Sequence, residues 1–117
     1  MYKRQEAPLY VQSHDLARWL LTALGEGDAL GRRLHEDGLR LLDAVVLALK
    51  GFERQAHIEE ADALAALLRV RLRLACDLGR IDDRQLVHAT GELDSIGRQL
   101  GVWYRRVARD TVPAHPR

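Results

Sequence analysis

The chain has 117 residues, 47% apolar and 30% charged, with a formal net charge of +1 at pH 7; that suits one domain with a single core and excludes a disordered chain. Cys76 is the only cysteine, which excludes an intramolecular disulfide and a cysteine-based zinc cluster. No run approaches the ~20 apolar residues of a membrane span, and no apolar segment of signal-peptide type follows the first residues, so a cytoplasmic protein without a membrane partner is expected.

Leu, Ala and Arg dominate while β-branched and aromatic residues are scarce, a balance that favours helix because straight-chain side chains lose little rotamer freedom there. The first helix is predicted from Pro8 to Leu24, proline being tolerated in the first turn. Leu9, Leu16, Leu20 and Ala23 form its apolar stripe, with Trp19 beside it. Gly25-Glu26-Gly27 breaks it, with glycine expected to supply a left-handed terminus. Asp28 is the N-cap of a second helix reaching Phe52. Leu30, Leu34, Leu41, Val45, Ala48 and Phe52 make one stripe there; Leu39, Leu42, Val46 and Leu49 make an offset second one, which suggests a subunit contact.

The third helix is predicted over His57 to Leu78. It starts acidic (Glu59, Glu60, Asp62) and ends basic (Arg69, Arg71, Arg73), as the helix dipole favours. Its core face is Ala61, Leu64, Leu68, Leu72 and Ala75. After Gly79-Arg80-Ile81, Asp82 or Asp83 caps a fourth helix to about Arg109, in which Leu86, Ala89, Leu93, Ile96, Leu100, Trp103 and Val107 keep a sustained heptad. Short loops between four helices, with no period-two segment, predict an all-α, antiparallel up-down-up-down four-helix bundle over residues 8–109. Flexible ends are expected at 1–7 and 110–117.

Motifs for catalysis are not found. A di-iron bundle needs repeated Glu-x-x-His pairs on inward faces; Glu53 with His57, and His88 with Glu92, are four apart, unrepeated, and read as surface ion pairs. The five histidines form no His-x-x-x-His pair for a metal. No phosphate loop occurs, and Ser13 and Ser95 lack a neighbouring base. A helical enzyme of the chorismate mutase type would need Arg and Glu at core positions, whereas the core stripes are aliphatic. A protein with no catalytic residue, no metal and no cofactor is expected.

The charges are more telling. Residues 1–68 hold 8 basic and 11 acidic side chains, and residues 69–117 hold 10 and 6. Arg69 and Arg73 share a face while Arg71 points elsewhere; Arg98, Arg105, Arg106 and Arg109 surround the heptad of the fourth helix. Guanidinium forks bind phosphate oxygens bidentately, so such rows suit nucleic acid or an acidic partner; the alternative is a solvated face whose stems cover apolar surface. Gly97 and Gly101, mid-helix, point to close approach of another helix.

The run Ala61-Asp62-Ala63-Leu64-Ala65-Ala66-Leu67-Leu68-Arg69-Val70-Arg71-Leu72-Arg73-Leu74 resembles the third helix of the accessory variability determinant proteins of diversity-generating retroelements. The run Ile96-Gly97-Arg98-Gln99-Leu100-Gly101-Val102-Trp103-Tyr104-Arg105-Arg106-Val107 is similar to their fourth helix, through Gly-Arg-x-Leu-Gly-x-Trp-x-x-Arg-Val. The resemblance covers about residues 9–109 and extends, more distantly, to four-helix proteins encoded in intervening sequences of bacterial 23S rRNA genes. It implies a ring-shaped homopentamer that binds the retroelement's reverse transcriptase and its template-region RNA or cDNA, in support of mutagenic retrohoming. It also implies that Arg69, Arg73, Arg98, Arg106 and Arg109 contact the polymerase or nucleic acid. The best-known members of that family are strongly basic and this chain is nearly neutral, so acidic positions such as Glu36, Asp37 and Asp43 are expected to pair with arginines of a neighbouring subunit. The alternative function is a structural or interaction bundle that oligomerises without binding nucleic acid.

Overall fold

A computed structural model describes residues 7–111; the expected flexible ends lie almost wholly outside the described residues. Four helices account for the fold: α1 (Ala7–Ala23), α2 (Ala29–Leu49), α3 (Arg54–Asp77) and α4 (Asp83–Thr111). Each packs on its neighbour in the chain, and α1 packs on α4 to close a four-helix bundle. Side-chain partners run in opposite directions on adjacent helices. Asp37 of α2 meets Arg71 of α3 whereas Arg40 meets Glu60; Arg69 of α3 meets Asp94 of α4 whereas Gln55 meets Tyr104. Gln12 of α1 meets Ser95 and Gln99 of α4 whereas Trp19 meets His88. Neighbouring helices are therefore antiparallel.

The core is the set of aliphatic stripes read from the sequence. Leu9, Leu16 and Leu20 of α1, Leu34, Leu41, Val45 and Ala48 of α2, and Ala61, Leu64, Leu68, Leu72 and Ala75 of α3 are buried. So are Ala89, Leu93, Ile96, Leu100, Trp103 and Val107 of α4. Phe52 is an exception at 60% exposed. It lies beyond α2, because Gly51 adopts φ 91 and the N–H groups of Gly51 and Phe52 bond back to the carbonyls of Ala48 and Leu47. Gly79 (φ 75) ends α3 in the same way, with Gly79 and Arg80 donating to Cys76 and Ala75. This is the left-handed glycine terminus, in which orphan carbonyls of the last turn find donors.

No left-handed glycine occurs at Gly25 or Gly27, contrary to expectation. Instead the His35 ring on α2 donates through Nε2 to the Leu24 carbonyl at 2.7 Å, closing the end of α1 from outside. At the start of α2, Asp28 accepts from the Gly31 N–H at 2.9 Å, as expected of an N-cap. Asp82, rather than Asp83, caps α4: its carboxylate accepts from the Gln85 N–H while Gln85 Oε1 accepts from the Asp82 N–H, a reciprocal capping box. Helix α4 runs two residues past Arg109, to Thr111.

Asp28 also accepts from Arg80 Nε and Nη2 at 3.0 and 2.6 Å, clamping the α1–α2 loop to the α3–α4 loop. The Gly31 N–H first, and then the Arg80 guanidinium, hold the Asp28 carboxyl below its ordinary value of 3.8. A carboxyl lowered in the folded state stabilises fully above that ordinary value, and the contribution fades as pH falls through the lower folded value. Asp28→Asn is thus expected to melt at a lower temperature than wild type at pH 7 and to lose less stability on acidification below pH 3.8, as thermal unfolding across pH will show.

The mid-helix glycines of α4 do not serve a close approach within this chain. A Cβ at Gly97 would meet nothing within 4 Å, and one at Gly101 only the end of Arg105 at 3.6 Å. Gly97→Ala and Gly101→Ala are each expected to stabilise the isolated chain by about 0.5–1 kcal/mol, through lower unfolded-state entropy and better helix propensity. Chemical denaturation measures this directly.

Candidate nucleic-acid interface on the third and fourth helices

The five arginines singled out from the sequence fall into two groups. Arg69 donates to Asp94 of α4, and Arg73 Nε donates to Asp77, one turn on, at 3.4 Å. Both pairs are largely exposed, where an ion pair is worth about 0–1 kcal/mol and exchanges readily. The side chains of Arg98, Arg106 and Arg109 form no ion pair or hydrogen bond with any described residue, and neither does that of Arg105. Arg98, Arg105 and Arg109 are exposed and Arg106 is half-buried.

Their placement follows from the heptad. With Ile96, Leu100, Trp103 and Val107 fixed in the core, positions 98, 105 and 109 fall on the opposite, outward face of α4, spaced i, i+7, i+11. They span about 16 Å of helix axis at 1.5 Å per residue. Arg106 lies further round. The Arg69–Asp94 pair adds one more guanidinium a turn before Arg98, whereas Arg73 stands toward the far, α3–α4 loop end. The structure thus brings Arg98 and Arg109 into one row, leaves Arg73 out of it, and adds Arg105.

No family model, curated protein or solved structure matches this chain.

Beside the arginine row, the groove between α3 and α4 is floored by Ile58, Leu100 and Gly101, with Glu59 and Asp62 on its α3 wall and Arg105 on its α4 wall. Tyr104 spans it, donating to Glu59 at 3.0 Å and accepting from Gln55 at 3.3 Å. Carboxylates on the α3 wall repel phosphate, so a polyanion is favoured only on the outward side of α4.

Of the acidic residues assigned to a neighbouring subunit, Asp37 needs correction. Asp37 is 1% exposed and accepts from Arg71 of its own chain, and Glu36 lies 3.8 Å from Arg33. The suggested surface pairs Glu53–His57 and His88–Glu92 do not form either. His57 Nδ1 donates to the Phe52 carbonyl at 2.6 Å, His88 lies against the Trp19 ring, and Glu92 accepts from Gln12 at 3.2 Å. Gln12 is the hub of a polar ladder between α1 and α4, accepting from Ser95 at 3.0 Å and from Gln99. Sequence reading passed over this ladder; its signal was a polar row at 92, 95 and 99, three to four apart on one flank of α4.

Among the described residues no group of three or more His, Cys, Asp or Glu is placed to hold a metal ion, and no helix is long and apolar enough to cross a membrane. The Cys76 thiol donates to Asp83 at 3.3 Å, and this hydrogen bond, followed by burial, pushes it up from its ordinary value of 9.0. A thiol so held is a poor nucleophile.

Proposed function

We propose that this chain is a non-catalytic accessory protein of a diversity-generating retroelement, binding the reverse transcriptase and its template RNA or cDNA to support mutagenic retrohoming. The observation that carries the reading is the outward row of α4, where Arg98 and Arg109, with Arg105 between them and Arg106 alongside, have no described carboxylate partner. Arginine forks on a rigid helix can each grip a phosphate or an acidic side chain at little further entropic cost. The polymerase supplies the chemistry and this subunit positions it against its transcript, in the cytoplasm and without a cofactor. The resemblance of the third and fourth helices supplies the retroelement and a homopentameric ring. Half-buried Leu42, Val46 and Leu49 with exposed Leu39 on α2 offer apolar surface that a ring contact would cover.

The experiment is co-purification of the chain with a diversity-generating retroelement reverse transcriptase, with template-region RNA present, and mass measurement of the free oligomer. The reading expects a complex that survives washing in moderate salt and is lost in the Arg98→Ala, Arg106→Ala, Arg109→Ala triple variant, which remains helical. Absence of both polymerase and RNA from the purified chain would refute it.

A second reading, a structural or interaction bundle without nucleic acid, draws support from the intrachain pairing of Arg69 and Arg73. It predicts that replacing those two arginines changes stability slightly and no partner binding. The accessory reading keeps Arg69, whose exposed pair with Asp94 can be exchanged for phosphate, as a contributor.

A further inference from the structure

Helix α3 carries a second apolar stripe that its own bundle leaves uncovered. Leu67, Val70, Leu74 and Leu78 are 42, 69, 47 and 51% exposed, at i, i+3, i+7 and i+11, and Ala63 extends the line by one turn. This spacing is that of a helix seam that packs on another helix. Soluble surfaces rarely keep such a row together unless something covers it.

The charges bordering the stripe identify what covers it. One flank faces α2: Arg71 reaches Asp37 there and Glu60 reaches Arg40. The other faces α4: Glu59 accepts from Tyr104, and Arg69, one turn from Arg73, reaches Asp94. Each flank therefore carries an acid in the first half of α3 and an arginine in the second, disposed almost symmetrically about Ala66. Glu59 and Arg73 each lie seven residues from Ala66; Glu60 lies six before it and Arg71 five after; Asp62 lies four before and Arg69 three after. We infer that two copies of this chain pack α3 against α3, antiparallel, about a two-fold axis at Ala66. In that arrangement each flank meets its own counterpart reversed, so Glu59 faces Arg73 of the second copy and Glu60 faces Arg71, while Ala63 lies against Val70. A parallel pairing would set acids against acids and arginines against arginines. The Arg73–Asp77 and Arg40–Glu60 pairs that must loosen are exposed, so their exchange costs little, while Arg71 keeps Asp37 and meets Glu60 of the second copy through its remaining guanidinium donors.

Such a contact is self-complementary and joins two copies, no more, through this face. It does not rest on the proposed function. A chain that binds neither polymerase nor RNA can still show it, because its test reads mass and cross-linking alone.

The test uses the full chain at micromolar concentration. Sedimentation is expected to give an even number of copies, ten where the two-fold contact joins a pair of the pentameric rings proposed above. Val70→Asp, at a position outside the core, is expected to halve the mass with the helical circular dichroism unchanged. Arg73→Glu is expected to weaken association, and adding Glu59→Arg to it to restore the wild-type mass. Ala63→Cys with Val70→Cys, in a Cys76→Ala background, is expected to give a covalent dimer on oxidation, since the two positions are too far apart along one helix to bridge within a chain. A monomeric wild type, a Val70→Asp variant of unchanged mass, or no cross-linked dimer overturns the inference.

Discussion

Arg71→Ala is expected to cost this small bundle about 3–5 kcal/mol, a large share of the roughly 5–15 kcal/mol that holds a domain of this size together. Asp37 lies in the seam between α2 and α3 at 1% exposed, and its Oδ2 accepts from Arg71 while its Oδ1 has no hydrogen-bond partner. Removing the guanidinium leaves a carboxylate with neither water nor countercharge. The pair is asymmetric, since the Arg71 side chain is 23% exposed and can turn to solvent. Asp37→Ala is therefore expected to cost less than Arg71→Ala. The double replacement Asp37→Leu with Arg71→Met is expected to recover most of the loss, because an apolar pair needs no desolvation offset. Denaturant unfolding of the three variants checks the order; equal losses for the two single variants would contradict it.

Gly31→Ala is expected to destabilise by about 2–3 kcal/mol, against the usual sign of a glycine-to-alanine change inside a helix. A Cβ there would overlap the Gly25 carbonyl oxygen, and it would crowd Asp28 Oδ1 at 3.3 Å. Both neighbours belong to the turn that feeds α2, and the first is backbone, which cannot swing aside. The α1–α2 connection must open, loosening the Asp28 cap and its Arg80 clamp together. In a chain of this length such a loss corresponds to roughly an 8–12 °C fall in melting temperature. Gly38→Ala is the informative control. Its Cβ would meet Leu20 Cδ1 at 2.7 Å, the end of a side chain that can change rotamer, so a smaller loss is expected.

How much of this was legible in the sequence depends on the kind of interaction. The α4 heptad, the core stripes and the Asp28 cap are local patterns, and apart from Phe52 the structure has them where periodicity put them. Asp37 was misjudged because Glu36, Asp37 and Asp43 look alike in composition. Yet Leu34, Asp37, Leu41 and Ala44 keep core spacing, and that position marks Asp37 as buried. Its partner Arg71 could not be read, since periodicity places residues on a face and does not fix the register between helices. The same gap hid the Arg69–Asp94 pair, and with it the division of the five arginines into paired and open groups. The glycine termini were expected at residues 25–27 and occur at Gly51 and Gly79, because a glycine permits a left-handed turn without requiring one. The second stripe on α3 was hidden in plain view, its leucines interleaved with those of the core face.

The central claim is that the outward arginines of α4 hold phosphate. The most direct measurement is the affinity of the chain for single-stranded template-region RNA as a function of salt, for wild type and for a variant with Arg98, Arg105, Arg106 and Arg109 all changed to glutamine. Each phosphate contact on a single strand contributes roughly 0.7 to the slope of log affinity against log salt. The account predicts a steep wild-type slope that falls by about 2–3 in the variant. An identical slope in the two proteins, or no RNA binding by wild type in low salt, would contradict it.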